Sequence, residues 1–299
     1  MTHLSRYTFP MQLDSGGTRQ PVSVVVTVLN EAEEIARGVA SLLAQEPSAA
    51  EVIVVDGGSS DGTWEWLAEM QTKDPRLVAI RDETCSLKHS PGPVSRGRNV
   101  AIAAARTATI ATADAGCTYA ADWLKHLTAP IVAGKAEYAL GGSCLDPADH
   151  TVWDVASAPF FSIKLGAEEP TKSCTARSMA FTKALWERIG GFPESVLVGE
   201  DTLFDFAARR LTAPAFIANA KAIYSPRNSF RAATHQMARY AVSDGKARVR
   251  WARLFRNAAR CGLEVLARFV FSVAVPWVVA ANHVYGLFSS KPQTNKQNG

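Results

Sequence analysis

Glu51-Val-Ile-Val-Val-Asp56-Gly-Gly-Ser-Ser-Asp61-Gly-Thr63 is the stretch on which the fold turns. The apolar, largely β-branched run Val52 to Val55 reads as a short strand buried on both faces, and it ends abruptly in a carboxylate, Asp56, followed by glycines and hydroxyls. Ser60 or Asp61 is suited to cap a helix that carries Trp64, Leu67 and Met70. The unit is therefore strand, polar loop, helix, and in open α/β sheets the carboxyl ends of strands are where ligands sit. A plain turn, with Asp56 capping its own loop, accounts for a single Asp-Gly-Gly equally well. Recurrence favours the ligand site.

Working outward, the same arrangement appears twice more. Val22 to Leu29 is an apolar run followed at once by Asn30 and Glu31; Asn30 is a suitable N-cap, with Glu31, Glu33 and Glu34 in the first turn and Ile35, Val39, Leu42 and Leu43 at helical spacing. Thr109 to Ala113 runs into Asp114-Ala-Gly-Cys117. Three strand ends thus deliver Glu31, Asp56 and Asp114. Parallel strands joined by helices predict an α/β sheet with right-handed crossovers, and convergence of the three ends predicts a nucleotide-type crevice.

Between these units, Leu77 to Arg81 reads as a further strand, and Ser95-Arg-Gly-Arg-Asn99 precedes an alanine-rich helix, Val100 to Ala105. Arg96 and Arg98 are either a solvated pair or rim residues suited to bidentate phosphate binding. Ala136 to Cys144 and Thr175 to Phe181 read as strands, Thr151 to Ile163 as an aromatic helix, and Lys183 to Ile189 as a helix stopped by Gly190-Gly191. Glu200 and Asp201 fall at a loop-to-helix junction. There a carboxylate caps the helix or points into a cleft as a general base.

The 299 residues, 47% of them hydrophobic, suffice to bury a sizeable core. The net charge of +4 is unevenly placed: Lys221 to Arg268 holds eleven lysines and arginines against two acids, so the remainder is acidic. Five scattered cysteines with no Cys-x-x-Cys spacing suggest neither a disulfide framework nor a zinc site. Asn30-Glu-Ala stands where a dinucleotide-binding chain would carry Gly-x-Gly-x-x-Gly, which sets aside an NAD-dependent oxidoreductase.

Taken in order, Pro21-Val-Ser-Val-Val-Val-Thr-Val-Leu-Asn-Glu31, Val54-Val-Asp56-Gly-Gly-Ser-Ser-Asp-Gly-Thr63, Arg98-Asn99, Asp114-Ala-Gly116, Gly190-Gly-Phe192 and Gly199-Glu-Asp201 resemble the motif series of family 2 glycosyltransferases of the GT-A fold. The resemblance spans Pro21 to Lys246. It implies that Thr27, Leu29 and Glu31 with Asp56 hold the nucleoside of a nucleotide sugar, and that Arg98 touches its ribose or diphosphate. It implies that Asp114 is the first aspartate of the family's Asp-x-Asp signature, whose last carboxylate holds a divalent metal. Gly116 takes that last place here, which leaves two expectations open: Mg²⁺ or Mn²⁺ on Asp114 with waters, or arginines sharing the charge. By the same resemblance Asp201, beside Glu200, is the base that deprotonates the acceptor, a single displacement that inverts the anomeric centre. Gln236-Met-Ala-Arg239-Tyr240 is similar to the family's Gln-x-x-Arg-Trp signature and adds Gln236 and Arg239 as donor contacts. The acceptor implied is a carbohydrate or a lipid-linked sugar in surface polysaccharide or glycoconjugate synthesis. Gly116 also motivates an alternative, a catalytically silent nucleotide-sugar binder or assembly subunit.

From Trp251 a helical stripe of Trp251, Leu254, Phe255, Ala258, Val265, Leu266 and Phe269 opposes Arg253, Arg256, Arg260, Glu264 and Arg268, the pattern of a helix lying on an anionic membrane. Positive charge beside an apolar stripe suits lipid better than nucleic acid. Phe269 to Ala281 continues as an apolar stretch broken by Pro276, short of the roughly 20 residues a span requires. The expected organisation is a flexible lead-in over 1–20, the α/β domain over 21–235, a helical arm over 236–289 and a polar tail over 290–299. The expected location is cytoplasmic, peripheral on the inner face of the cell membrane.

Overall fold

The structure is a computed structural model that describes residues 21–157, 164–165, 175–224, 229–246, 280–281 and 284. Its first part alternates strand and helix: β1 (Val22–Val28), α1 (Ile35–Leu43), β2 (Glu51–Asp56), α2 (Thr63–Lys73), β3 (Leu77–Arg81), α3 (Pro93–Ala104) and β4 (Thr109–Thr112). There follow β5 (Cys117–Tyr119), α4 (Trp123–Val132), β6 (Tyr138–Leu145), α5 (Val152–Ser157), β7 (Lys164–Leu165), a 3-10 turn (Ala176–Ser178) and β8 (Met179–Thr182). The described part closes with α6 (Lys183–Ile189), α7 (Glu200–Ala208), β9 (Ala215–Tyr224) and α8 (Phe230–Lys246). No helix among the described residues is long and apolar enough to cross a membrane.

One sheet runs in the order β3-β2-β1-β4-β8-β6-β9-β5, with β7 added on β6. The pairs β3–β2, β2–β1 and β1–β4 are parallel, as the strand-helix alternation requires. Past β4 the sheet is mixed: β8 is antiparallel to β4 and β6, β6 and β9 are parallel with an irregularity between Leu140 and Gly142, and β5 is antiparallel to β9. The chain leaves β1 in one direction for β2 and β3, then returns to β1's other side for β4. The order reverses there, and the crevice of such a sheet lies at the carboxyl ends flanking that reversal.

The two faces of β1 show why it is central. Val24, Val26 and Val28 pack into one buried layer with Ile35, Val39 and Leu42 of α1 and Leu124, Leu127 and Ile131 of α4. Val25 points the other way, into a layer with Ala101 and Ile102 of α3, Leu185 of α6 and Phe204 of α7. A strand covered on both sides must be apolar at nearly every position, which the run Val22 to Val28 satisfies.

Several local expectations are corrected. Asn30 does not cap α1; it adopts φ 56°, and α1 begins at Ile35 after a turn. Asn is among the few residues that tolerate the left-handed region, and its side chain is used across the loop instead. α3 starts at Pro93, not Val100, because proline at the first helical position has its φ already set. Ser95 to Asn99 are therefore helical. Residues 175–178 form a turn rather than the start of a strand. The helix expected over Thr151 to Ile163 is present as α5, and 158–163 lie outside the described residues. The amphipathic stripe from Trp251 and most of the apolar stretch after it lie outside them too. β5, α4 and β9 had no counterpart in the sequence reading.

The packing of α1 reaches the third strand end directly. A Cβ placed on Gly38 would sit 2.5 Å from the Ala115 carbonyl oxygen and 3.2 Å from that of Cys117. Both are backbone atoms of the segment that follows Asp114, so only glycine lets the helix approach. Gly38→Ala is expected to cost about 2 kcal/mol in a urea melt, within the range of an overpacked core. An unchanged midpoint would show that this contact has room to relax.

Candidate active site

The loops after β1 and β2 are tied to each other. Asn30 Oδ1 accepts from the Ser60 N–H at 2.9 Å, and the Asn30 N–H donates to Ser59 Oγ at 2.8 Å. The Glu31 N–H donates to Thr63 Oγ1 at 2.9 Å, and the Ala32 N–H to Asp61 Oδ2 at 3.0 Å. Asp61 Oδ1 in turn accepts from the Thr63 N–H and hydroxyl at 3.1 and 2.6 Å, so Asp61 does serve the start of α2 although the capping position itself is Gly62. Asp56 is fully buried. Its Oδ1 accepts from the Gly58 and Ser59 N–H groups at 2.8 and 2.9 Å, while Oδ2 has no hydrogen-bond partner among the described residues.

α3 brings in the central charge. Gly97 lets the helix press against β1, since a Cβ there would lie 2.7 Å from Thr27 Cγ2. The next residue, Arg98, has a side chain only 4% exposed. Its Nη2 donates to Asp114 Oδ1 at 2.9 Å and its Nη1 to Glu200 Oε1 at 2.5 Å, and the guanidinium lies 5.6 Å from the Phe192 ring centroid. Burial works against this charge, but Glu200 and Asp114 outweigh it and raise the Arg98 pKa further. For Glu200 burial prevails over the pull of Arg98, so its carboxyl lies above the ordinary glutamate value. Asn99 fixes the neighbouring turn. Its Oδ1 accepts from the Phe192 N–H at 2.8 Å and its Nδ2 donates to the Phe192 carbonyl at 2.9 Å, which explains why Arg98-Asn99 and Gly190-Gly-Phe192 occur together.

Asp114 is held from a second side. Its Oδ2 lies 3.5 Å from Arg177 Nε, and the Arg177 guanidinium stacks over the Tyr224 ring at 4.4 Å. The Tyr119 hydroxyl accepts from the Asp114 N–H at 3.0 Å and donates to the Arg177 carbonyl at 3.1 Å, locking the 3-10 turn to the end of β4. Burial raises the Tyr224 pKa, and on α8 the Gln236 side chain lies near the Tyr224 hydroxyl and favours its ionised form.

These groups enclose a cavity of about 430 Å³, within the range of small-molecule sites. Of the residues expected at the site, Thr27, Leu29, Glu31, Arg98, Asp114, Glu200 and Arg239 line it. Gln236 is not on the wall, although Tyr224, whose hydroxyl it lies near, is. Asp56 is not on the wall, although Val55 and Gly57 on either side of it are. Asp201 is also off the wall: its Oδ1 accepts from its neighbour's Thr202 N–H at 2.6 Å, while its charge acts on both Arg98 and Glu200. Arg96 points elsewhere, to Glu194 and Thr84. Glu31, half-buried, has its carboxyl pushed up by burial and then by Glu34, Asp114 and Asp61. Arg177 and Tyr224, both on the wall, escaped the sequence reading; an arginine in an apolar stretch and a tyrosine ending a strand carry no local signal.

The site does not fit a carboxylate-held divalent ion. Gly116 offers no ligand, both oxygens of Asp114 face guanidinium groups, and no cluster of three acidic, histidine or cysteine side chains is gathered for a metal among the described residues.

Comparison with known proteins agrees with the fold. The chain is 35% identical over 119 residues to the succinoglycan biosynthesis protein ExoO of Rhizobium meliloti, a match spanning 40% of this chain and 32% of that one. It is 29% identical over 198 residues to the glycosyltransferase AglE of Haloferax volcanii, spanning 60% of this chain and 58% of the relative. Each match thus covers less than two thirds of the relative. In fold it is similar to a mannosyltransferase of Pyrobaculum calidifontis solved with GDP-Man and Mn²⁺ (TM-score 0.65, 18% identity, 92% of this chain and 89% of that one). It is also similar to S. aureus TarS 1-349 solved with UDP-GlcNAc (TM-score 0.52, 16% identity, 89% of each). The family description Glycosyl transferase family 2 matches residues 23–185, just over half of the chain, and the protein belongs to that family.

Proposed function

We propose that the protein is an inverting glycosyltransferase that moves a sugar from a nucleoside-diphosphate donor to a hydroxyl of a carbohydrate or lipid-linked acceptor. The observation that carries this is a cavity at the carboxyl ends of β1, β2 and β4, into which Thr27, Leu29, Glu31, Arg98, Asp114 and Arg239 converge from four segments. The names of the relatives support it, ExoO being a succinoglycan biosynthesis protein and AglE a glycosyltransferase. The unpartnered buried oxygen of Asp56 supports placing the base behind Val55 and Gly57, because a base N–H would supply the missing donor.

In this reading the acceptor oxygen attacks the anomeric carbon opposite the leaving diphosphate, the bond to the phosphate oxygen breaks, and the acceptor proton passes to a carboxylate. Glu200 is committed to Arg98, so it holds that arginine in place. The family resemblance gives the role of base to Asp201, at the same helix start and within electrostatic reach of both. Asp201→Asn should lower transfer by about 100-fold or more, the usual worth of a general base, with donor affinity within about threefold of the parent. Turnover within about tenfold of the parent would remove Asp201 from that role.

Glu31 supplies a pH dependence that reports on the closeness of the carboxylates. Its raised pKa means that the folded protein holds this proton more tightly than the unfolded chain does. The stability linked to it is full below the ordinary glutamate value of about 4.5 and is lost as pH rises through the raised one. Glu31→Gln should therefore gain in Tm over the parent progressively as pH rises from about 4.5 to 8. A difference independent of pH would show that Glu31 is not crowded by Glu34, Asp114 and Asp61.

The basic, amphipathic pattern from Trp251 supports placing the protein on the anionic inner face of the cell membrane, where lipid-linked acceptors are reached. The full chain should co-sediment with phosphatidylglycerol vesicles and not with phosphatidylcholine vesicles. Equal partition to both would remove the electrostatic basis for this placement.

A further inference from the structure

We infer that the donor site proposed above, on which this rests, takes a pyrimidine imide, uracil or thymine, as its base, and that Asp56 makes the choice through one carboxylate oxygen. Asp56 ends β2 and is fully buried, yet its two oxygens differ. Oδ1 accepts from the Gly58 and Ser59 N–H groups at 2.8 and 2.9 Å, which occupies its two lone pairs. Oδ2 is buried and has no hydrogen-bond partner among the described residues. A turn explains the first oxygen and leaves the second. An acceptor shut away from water is costly unless something else brings the donor.

The carboxylate is also held against turning. Gly58 takes a left-handed φ of 98°, which turns the Ser59 N–H back toward Oδ1, and Ser59 is tied in turn to the loop after β1 through the Asn30 N–H. A Cβ on Gly57 would sit 2.5 Å from the Cys85 carbonyl oxygen, so the loop is packed tightly on that side. Among the described residues no cation supplies the missing donor. Arg81 lies opposite Asp56 in the register of β2 and β3, but its Nη2 donates to the Ser59 carbonyl at 3.3 Å and its guanidinium lies over the Trp64 ring at 5.6 Å. On either side of Asp56, Val55 and Gly57 join Cys85 and Pro93, Val94 and Gly97 of α3 in an uncharged part of the cavity wall.

A carboxylate oxygen only accepts, so it reads the donors on a base edge. Uracil and thymine offer a single N3–H between two carbonyls, which one open oxygen satisfies. Guanine offers N1–H and an N2 amino group side by side, a pair suited to both oxygens of a carboxylate. With Oδ1 spent, one of those two donors gains no bond from Asp56. Cytosine presents an N3 lone pair, which would meet Oδ2 as acceptor against acceptor. Leaving one such group unpaired in a buried site is worth about tenfold or more in affinity.

Titration calorimetry of the full chain with UDP, dTDP, GDP and CDP, each in MnCl₂ and in EDTA, tests this through their ranking. The tighter of UDP and dTDP, which names the imide, is expected to bind at least about tenfold more tightly than GDP and CDP. Asp56→Asn keeps a carbonyl oxygen for the Gly58 and Ser59 N–H groups and puts an amide N–H where Oδ2 stood. It should lose at least about tenfold for UDP and dTDP and bind CDP more tightly than either, a reversal that a merely structural Asp56 would not produce. A parent that binds GDP or CDP within about tenfold of the better imide, or a folded Asp56→Asn variant that does not prefer CDP, overturns the assignment while leaving the donor site standing. Failure of the parent to bind any of the four in either medium overturns both. Should Asp56→Asn not fold by circular dichroism, the parent's ranking decides the matter.

Discussion

A single buried positive charge, Arg98, is the constraint around which the site is assembled. Its guanidinium is taken almost wholly out of water, which is tolerable only if carboxylates meet it with good geometry, and Asp114 and Glu200 do so from the end of β4 and the start of α7. Removing one partner of such a pair leaves an uncompensated buried charge, at a cost of about 3–5 kcal/mol. The positions of β4, α7 and α3 are therefore mutually dependent. The neighbours of Arg98 serve the same end: Gly97 brings the helix against Thr27, and Asn99 fixes the turn that delivers Phe192 beneath the guanidinium.

A second clamp extends the first across the mixed half of the sheet. β5 and β9 are paired, which sets Tyr119 and Tyr224 on adjoining strands, and the 3-10 turn before β8 sets Arg177 between them. Tyr119 then bridges the backbone of Asp114 to that of Arg177. Its hydroxyl pKa is raised far above the ordinary value by burial, so it stays protonated and can donate and accept at once. The parallel half of the sheet thus supplies strand ends, and the antiparallel half supplies the wall that faces them.

What the sequence disclosed was what is local. Glu31, Asp56 and Asp114 each follow an apolar run, and the run itself announces the strand, so the three ends could be placed from pattern alone. The start of α3 was missed because Gly97 and the paired arginines around it look like loop residues until Thr27 is known to lie against them. Asn30 was given a capping role because its partner, Ser60, is thirty residues away. Arg177 left no trace for the same reason: its significance lies in Asp114, Tyr119 and Tyr224, none of which is within forty residues of it.

The charges of the cavity now decide what it can hold. Arg98 is matched by Asp114 and Glu200, so it organises the wall while adding little net attraction for a ligand. Glu31 is held toward its neutral form by burial and by the carboxylates around it, which lessens the repulsion an incoming anion meets. Arg177 and Arg239 add positive charge to the same wall, Arg177 beside Asp114 and over the Tyr224 ring, Arg239 exposed on α8. Because Arg98 is fixed by two carboxylates from different elements, the wall it organises keeps its shape when a charged ligand enters the cavity.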